Sequence, residues 1–236
     1  MKKILIVAAT TFEIQIFIDF LRNELKVHKS PLFINYAFEV LITGIGMVNT
    51  ALKVSKSLAL KDFDFALNVG VAGLFPQKGL AARTTPVYAF ERGIVVEVIT
   101  ERYGDLGVEE ATGAFTDMFE LGLMTTDEVP FKGGKLINPR PLSHNLPHTE
   151  GLTVQKVHGF PLSIKGVLQK YKDVQIETME GAAFFQACLT EGVAFSEIRA
   201  ISNFVEARNR ENWMMNEAIE ALNEVLIDLF VKKKIG

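Results

Sequence analysis

The run Ile4-Leu5-Ile6-Val7-Ala8-Ala9 contains no polar residue. A strand with one wet face alternates apolar and polar side chains, so a run without alternation belongs to a sheet covered on both faces. Apolar-rich runs with a few polar residues recur at Phe38 to Thr43, Phe65 to Gly73, Val95 to Thr100, Leu152 to Val157 and Phe195 to Ser202. Helical patterns separate them at residues 12–25, where Phe12, Ile16 and Phe20 are spaced four apart, and at 48–60, 163–171, 180–190 and 212–232. Strands alternating with helices predict an α/β fold: a single domain over residues 1–236, with a central, mostly parallel mixed sheet flanked by helices. The segment Gly104 to Pro147 departs from this rhythm. It is rich in Gly, Pro and Thr, and a loop of that length is expected to be functional or to cover an interface.

Charge and cysteine content narrow the function classes. A net charge of −3 gives no electrostatic footprint for nucleic acid. The basic run Lys232 to Lys234 reads as a solvated helix end. The one cysteine, Cys188, forms no intramolecular disulfide, fits a reducing compartment and reads as a core residue. The four His are scattered without metal-ligand spacing, so neither a metal nor a cofactor is expected. Lys2 and Lys3 before the first apolar run resemble a signal peptide, but the run stops at Thr10 and Glu13 follows. No run approaches the length of a membrane span, and a cytoplasmic protein without membrane contact is expected.

Several residues are candidates for chemistry. Gly44-Ile45-Gly46 precedes a helix but lacks a third glycine, because Asn49 stands there, and so reads as a tight strand-to-helix turn. Glu13 follows a strand end, where open α/β sheets bind ligands, but an ordinary glutamate favouring the helix dipole would sit there too. Glu180 opens an apolar helix. A buried carboxylate needs partners, and vicinal sugar hydroxyls suit it because both donate; a helix cap or internal ion pair would also do. Asn203 ends an apolar strand and offers a donor and an acceptor to a base edge, or serves the turn. Arg208 and Arg210 near Trp213 suit an anionic or aromatic group, or a solvated helix start.

The combination is more specific than its parts. Ala8-Ala9-Thr10-Thr11-Phe12-Glu13, Thr43 to Asn49, Asn68 to Gly73, Met179-Glu180-Gly181-Ala182-Ala183 and Arg199-Ala200-Ile201-Ser202-Asn203 occur in the order seen in the nucleoside phosphorylase and nucleosidase superfamily. The resemblance covers nearly the whole chain and implies a nucleoside phosphorylase-like fold. Within the superfamily, Val95-Val96-Glu97-Val98, Asp105 to Glu109, Phe119 to Leu123, Thr153 to Gly159 and Ser202 through Trp213 most resemble the futalosine hydrolases, which remove hypoxanthine from futalosine in a menaquinone pathway. Ile94 stands where the superfamily has Asp in a Gly-Asp pair, and Pro76 to Gly93 matches poorly.

The resemblance implies roles at matching positions. Glu13 matches the acid that positions or deprotonates the attacking water, Glu180 the ribose-binding glutamate, and Met179 the methionine against the sugar. Ala72 and Gly73 match the loop lining base and sugar, Val157 and His158 backbone positions beside the base, and Ser202 and Asn203 the serine and purine-gripping residue. Methylthioadenosine/S-adenosylhomocysteine nucleosidases carry Asp where this chain has Asn203. An amide donates to a 6-oxo group that an ionised Asp would repel, so Asn203 favours a 6-oxopurine. Glu13, with no Arg in the same loop, favours water over phosphate. Arg208 or Arg210 is a candidate partner for a carboxylate on the substrate's tail. Phe115, Phe119 and Leu121 face that tail or a partner subunit, because related enzymes complete the pocket across a dimer; a homodimer or higher homo-oligomer is implied. The alternatives are a methylthioadenosine/S-adenosylhomocysteine nucleosidase, another purine nucleosidase or phosphorylase, and a purine nucleoside-binding protein without activity.

Overall fold

The computed structural model describes residues 1–76, 93–142 and 145–232. Arg83, Arg92, Lys233 and Lys234 lie outside the described residues, as does the poorly matching stretch apart from its ends. The chain runs through β1 (Lys2–Ala8), α1 (Thr11–Glu24), α2 (Pro31–Asn35), β2 (Tyr36–Ile42), α3 (Met47–Leu60) and β3 (Phe65–Leu74). It continues with β4 (Val95–Glu101), β5 (Gly107–Glu109), β6 (Phe115–Asp117), β7 (Leu136–Ile137), β8 (His148–Thr153) and α4 (Pro161–Lys170). The last elements are β9 (Ile176–Thr178), α5 (Gly181–Glu191), β10 (Phe195–Phe204) and α6 (Met215–Val231).

The apolar-rich runs become the parallel layer β2-β1-β3-β10, as expected. The other side of the sheet was not foreseen. β10 pairs antiparallel with β4, β4 runs parallel to β8 and β8 to β9, and β9 returns antiparallel onto β3. Among the described residues, β3, β10, β4, β8 and β9 therefore close into a ring, with β1 and β2 as an open extension. The sheet is mixed and partly closed. The strand that closes it, β9, is three residues long and carries no periodic signal of its own.

The core lies on both sides of the sheet. Leu5, Val7, Ala72 and Leu74 pack with Phe184, Phe185 and Cys188 of α5, and burial pushes the Cys188 thiol well above its ordinary range. Ile4, Ile6, Leu67 and Val69 pack with Phe17, Leu222, Leu226 and Phe230 of α1 and α6. The four-residue spacing in α1 marks the helix but not its buried face. Phe12 and Ile16 are exposed, and Ile14, Phe17 and Leu21 face the core. A local distortion explains part of this: Ile14 (φ −127°, ψ 17°) leaves helical geometry and turns the helix after its first residues.

Three further boundaries differ from expectation. The strand expected at Leu152 to Val157 is β8, which ends at Thr153, because the Thr153 side chain turns into a buried hydrogen-bond cluster and the chain leaves the sheet there. The last helix begins at Met215, after a 3-10 turn over Arg210–Asn212 that the Asn209 side chain caps from Glu211 N–H. The irregular segment after Gly104 holds the β5-β6 hairpin and β7, and Phe119 packs edge-on against Phe131, 5.4 Å between centroids, over the core.

Candidate active site

The C-terminal ends of β1, β3 and β10 and the N-terminal end of α5 converge, and each delivers a polar side chain. Glu13 follows β1. Its Oε2 accepts from the backbone N–H and the hydroxyl of Thr10, both at 2.9 Å, and its Oε1 accepts from Val71 N–H at 3.2 Å. Glu13 is thus both the capping glutamate of α1 and a buried carboxylate at the strand ends. The two sequence readings of this residue coexist.

Glu180 is the residue before α5 and is 5% exposed. Its Oε1 accepts from Gly46 N–H at 3.0 Å, and its Oε2 lies 3.5 Å from the Arg199 guanidinium. Gly46 has φ of +95°, a conformation side chains disfavour, and it aims its N–H across the site from the turn after β2. Burial pushes the Glu180 carboxyl above its ordinary range, while Arg199 and the Gly46 N–H pull it back down.

Arg199 is the residue that the sequence quoted without a role. It is 1% exposed in β10, with Nε 2.7 Å from Glu197 Oε1. A Cβ on Gly70 would stand 2.4 Å from Arg199 Nη1 and 2.7 Å from Glu13 Oε1, so only glycine lets both groups meet above β3. Burial opposes the guanidinium charge, but Glu197, Glu180 and Glu13 outweigh it and hold the group firmly protonated. One buried cation therefore pairs Glu180 with Glu197 beneath it, and its charge also acts on Glu13.

Beneath α5 lies a fourth carboxylate, Glu101, fully buried. Thr153 Oγ1 is 2.8 Å from Glu101 Oε2, Thr178 Oγ1 is 3.1 Å from Glu101 Oε1, and the two hydroxyls are 2.9 Å apart. Three mutual hydrogen bonds need three protons. Each hydroxyl supplies one, and Ala182 N–H, donating to Thr153 Oγ1 at 2.7 Å, enters from outside the triangle. A protonated Glu101 would supply the third. Burial and the neighbouring Glu197 push this carboxyl well above its ordinary range, in keeping with the count.

The other end of the site is formed by Ala72, Gly73, Ser202 and Asn203. Asn203 Nδ2 donates to Phe204 C=O at 2.9 Å, and Ser202 Oγ donates to Asn203 Oδ1 at 2.8 Å. The carbonyl fixes the amide orientation, since a flipped Oδ1 would face another acceptor. With Oδ1 occupied by the serine, Asn203 offers a ligand its remaining N–H. Ser202 Oγ also lies 3.3 Å from Ala72 C=O, binding β10 to β3 at this point.

His158 sits in the loop after β8 with its ring on Glu177 of β9; Val157 is 48% exposed at the rim. Met179 is half-buried between β9 and α5. Arg208 is exposed and lies over the Trp213 ring at 5.7 Å, with its Cβ beside Gly159. Arg210 is exposed in the 3-10 turn. The predicted residues Glu13, Glu180, Ala72, Gly73, Ser202 and Asn203 therefore line one region, with His158 and Arg208 at its edge. Sequence reasoning missed Glu177, Glu197 and the linking Gln155, whose Oε1 accepts from Met47 N–H at 3.0 Å. No periodic signal marks any of them. Among the described residues no group of His, Cys, Asp and Glu is arranged to hold a metal ion, and no helix is long and apolar enough to cross a membrane.

No family model matches the chain. Among curated proteins it is 30% identical to a futalosine hydrolase of Thermus thermophilus, over 78% of this chain and 77% of that protein. It is 27% identical to a futalosine hydrolase of Streptomyces coelicolor, over 87% and 82%. Among solved structures it superimposes on a futalosine hydrolase mutant of Helicobacter pylori with a TM-score of 0.72 at 14% identity, covering 99% of this chain and 100% of that one. An S-adenosylhomocysteine nucleosidase of Streptococcus pyogenes, in complex with 5-methylthiotubericidin, gives a TM-score of 0.72 at 17% identity, covering 98% and 97%. The structural likenesses establish the fold.

Proposed function

The chain belongs to the futalosine hydrolase family, and we propose that it hydrolyses the N-glycosidic bond of futalosine, releasing hypoxanthine, as a single domain over residues 1–236. The observation that carries the mechanism is the placement of Glu13 and Glu180 about the buried Arg199 charge, with the second amide N–H of Asn203 across Ala72 and Gly73.

Glu180 accepts from the ribose hydroxyls, and its charge stabilises the sugar as it takes on oxocarbenium character. Glu13 accepts the proton of a water that attacks C1′. The C1′–N9 bond breaks and its electron pair leaves with the purine. Asn203 donates its free N–H to the purine as negative charge develops there; an amide cannot hand over a proton at neutral pH, so protonation of the departing base comes from elsewhere. Met179 packs against the sugar, and Ala72, Gly73, Val157 and His158 surround the base. Arg208, at the edge beside Gly159, is the candidate for an anionic group on the substrate.

Water rather than phosphate fits the electrostatics. The buried cation at the site, Arg199, is already paired with Glu197 and Glu180, and a phosphate brought among these carboxylates would meet like charge. The reading extends to assembly. Phe12 and Ile16 of α1 and Ile45, Val48 and Leu52 around the start of α3 are exposed apolar residues flanking Glu13 and Gly46, a surface that a second copy of the chain would cover in a homo-oligomer. A cytoplasmic setting belongs to the same reading.

The test is base release from futalosine, inosine and methylthioadenosine, each with and without phosphate. Hypoxanthine from futalosine at a phosphate-independent rate is expected. Cleavage of methylthioadenosine alone, or dependence on phosphate, overturns the reading.

A further inference from the structure

Arg199 sets up an electrostatic conflict at the site. Glu180 is 5% exposed, and a buried carboxylate needs a partner, which the guanidinium supplies 3.5 Å from Oε2. The same cation opposes the positive charge that develops on the sugar. Left alone, it would offset one of the two negative charges that Glu13 and Glu180 bring to the strand ends.

Glu197 answers the conflict from beneath. It stands two residues before Arg199 on β10, so both side chains leave the same face of the strand. It is fully buried, and its Oε1 accepts from Arg199 Nε at 2.7 Å, a closer pairing than the guanidinium makes with Glu180. Held at Nε, the guanidinium turns Nη1 toward Glu180.

The other groups facing Glu197 carry no charge of their own to match it. Asn68 is its register partner on β3. Cys188 of α5 has its thiol pushed well above the ordinary range and is neutral. Glu101 comes from the end of β4. A Cβ on Gly181 would overlap both Glu101 Oε1 and Glu197 Oε2, so the two carboxyls meet under the first residue of α5. Two buried carboxyls placed this close share the cost of ionising, and one of them keeps its proton. Their partners assign it. Glu101 lies in the threonine triangle, where a proton completes the hydrogen bonds, and Glu197 lies on a guanidinium, where a negative charge is matched. Burial pushes both carboxyls up, and the charge of Arg199 leads in pulling Glu197 back down.

We propose that Glu197 is a positioning residue for glycosidic cleavage: it aims the Arg199 guanidinium at Glu180 and offsets its charge, so that Glu13 and Glu180 meet the forming oxocarbenium as two uncompensated carboxylates. Arg199 can then hold Glu180 in a buried site without weakening it. The proposal rests on the nucleosidase reading above and adds what lies behind its two carboxylates.

Glu197→Gln tests it. The glutamine Oε1 still accepts from Arg199 Nε, so the aim is kept and the charge is lost. The negative charge of Glu197 raises the Glu180 carboxyl, so removing it lowers the pH at which the site carboxylates ionise. The acid limb of the kcat–pH profile on futalosine should move to lower pH by roughly one unit. Plateau kcat should fall by roughly 10-fold or more, with KM changing less. Glu101→Gln removes a carboxyl that carries no charge, and its acid limb should coincide with that of wild type; in the double variant the Glu197→Gln shift should persist. An acid limb unmoved by Glu197→Gln overturns the proposal whatever happens to kcat, because lost packing alone does not move it. A shift produced by Glu101→Gln and not by Glu197→Gln overturns it too. If Glu197→Gln does not fold, the carbon-13 shift of the Glu197 carboxyl in wild-type protein decides: an ionised carboxyl at the pH of turnover supports the proposal, and a neutral one overturns it. Wild-type protein that leaves futalosine intact defeats the function itself, a result distinct from all of these.

Discussion

Asn223 of α6 fills the rung that α1 loses at Glu13. In a regular helix Glu13 C=O would accept from Phe17 N–H, but Ile14 is out of helical geometry. Asn223 Nδ2 donates to Glu13 C=O at 2.9 Å, and Asn223 Oδ1 accepts from Phe17 N–H at 2.9 Å. One fully buried amide thus satisfies both ends of a broken backbone hydrogen bond and holds the first turn of α1, with its carboxylate, against the strand ends.

Replacing Asn223 by Leu strands two buried backbone groups. Each costs about 1–3 kcal/mol, so a loss of roughly 2–6 kcal/mol in unfolding free energy is expected, together with a fall in kcat larger than any change in KM. Urea unfolding and steady-state kinetics measure both. A variant as stable as wild type would show that the bridge contributes nothing.

Glu13→Gln keeps the shape of the cap but removes the base. Turnover should drop by about 100- to 10,000-fold while the affinity for a non-hydrolysable nucleoside changes little. Calorimetric binding beside the base-release assay separates the two; retained turnover would exclude Glu13 as the base.

Asn203→Ala removes the one donor offered to the departing base from β10. A loss of about 100- to 1000-fold in kcat is expected on futalosine. A change confined to KM would assign Asn203 to binding alone.

Glu101 gives stability a pH dependence of known sign. Its carboxyl is pushed well above the ordinary range in the folded state, so above the unfolded value of about 4.3 the native chain holds a proton the unfolded chain has released. Stability from this group is complete below that value and is lost as pH rises toward the folded value, by up to about 1.4 kcal/mol per pH unit. Glu101→Gln keeps a neutral, donating group in the threonine triangle, so it should gain on wild type as pH is raised from about 5 toward the folded value. Urea midpoints across that range decide it, and a pH-independent difference would mean that Glu101 is ionised.

The parallel half of the sheet was legible because each strand is an apolar-rich run without strict polar alternation. Glu13, Glu180 and Asn203 were legible because each stands where such a run meets a loop or helix. The buried face of α1 was not legible: four-residue spacing at Phe12, Ile16 and Phe20 is helical on any face, and in the fold Ile14, Phe17 and Leu21 turn inward. Residue 223 in α6 and residue 177 in a three-residue strand carried no signal, because their roles exist only once other parts of the chain meet them.

The sequence by itself determined the alternating elements, the neutral base-gripping amide and the family, since these depend on residue type and local order. Tertiary structure alone decided the ring closure by β9, the pairing of Glu180 and Glu197 with Arg199, and the pairing of Glu177 with His158. The physical reason is that hydrogen bonds and charge pairs between residues far apart in the chain depend on ångström-scale placement, and hydrophobic periodicity sets which face is buried without setting that placement.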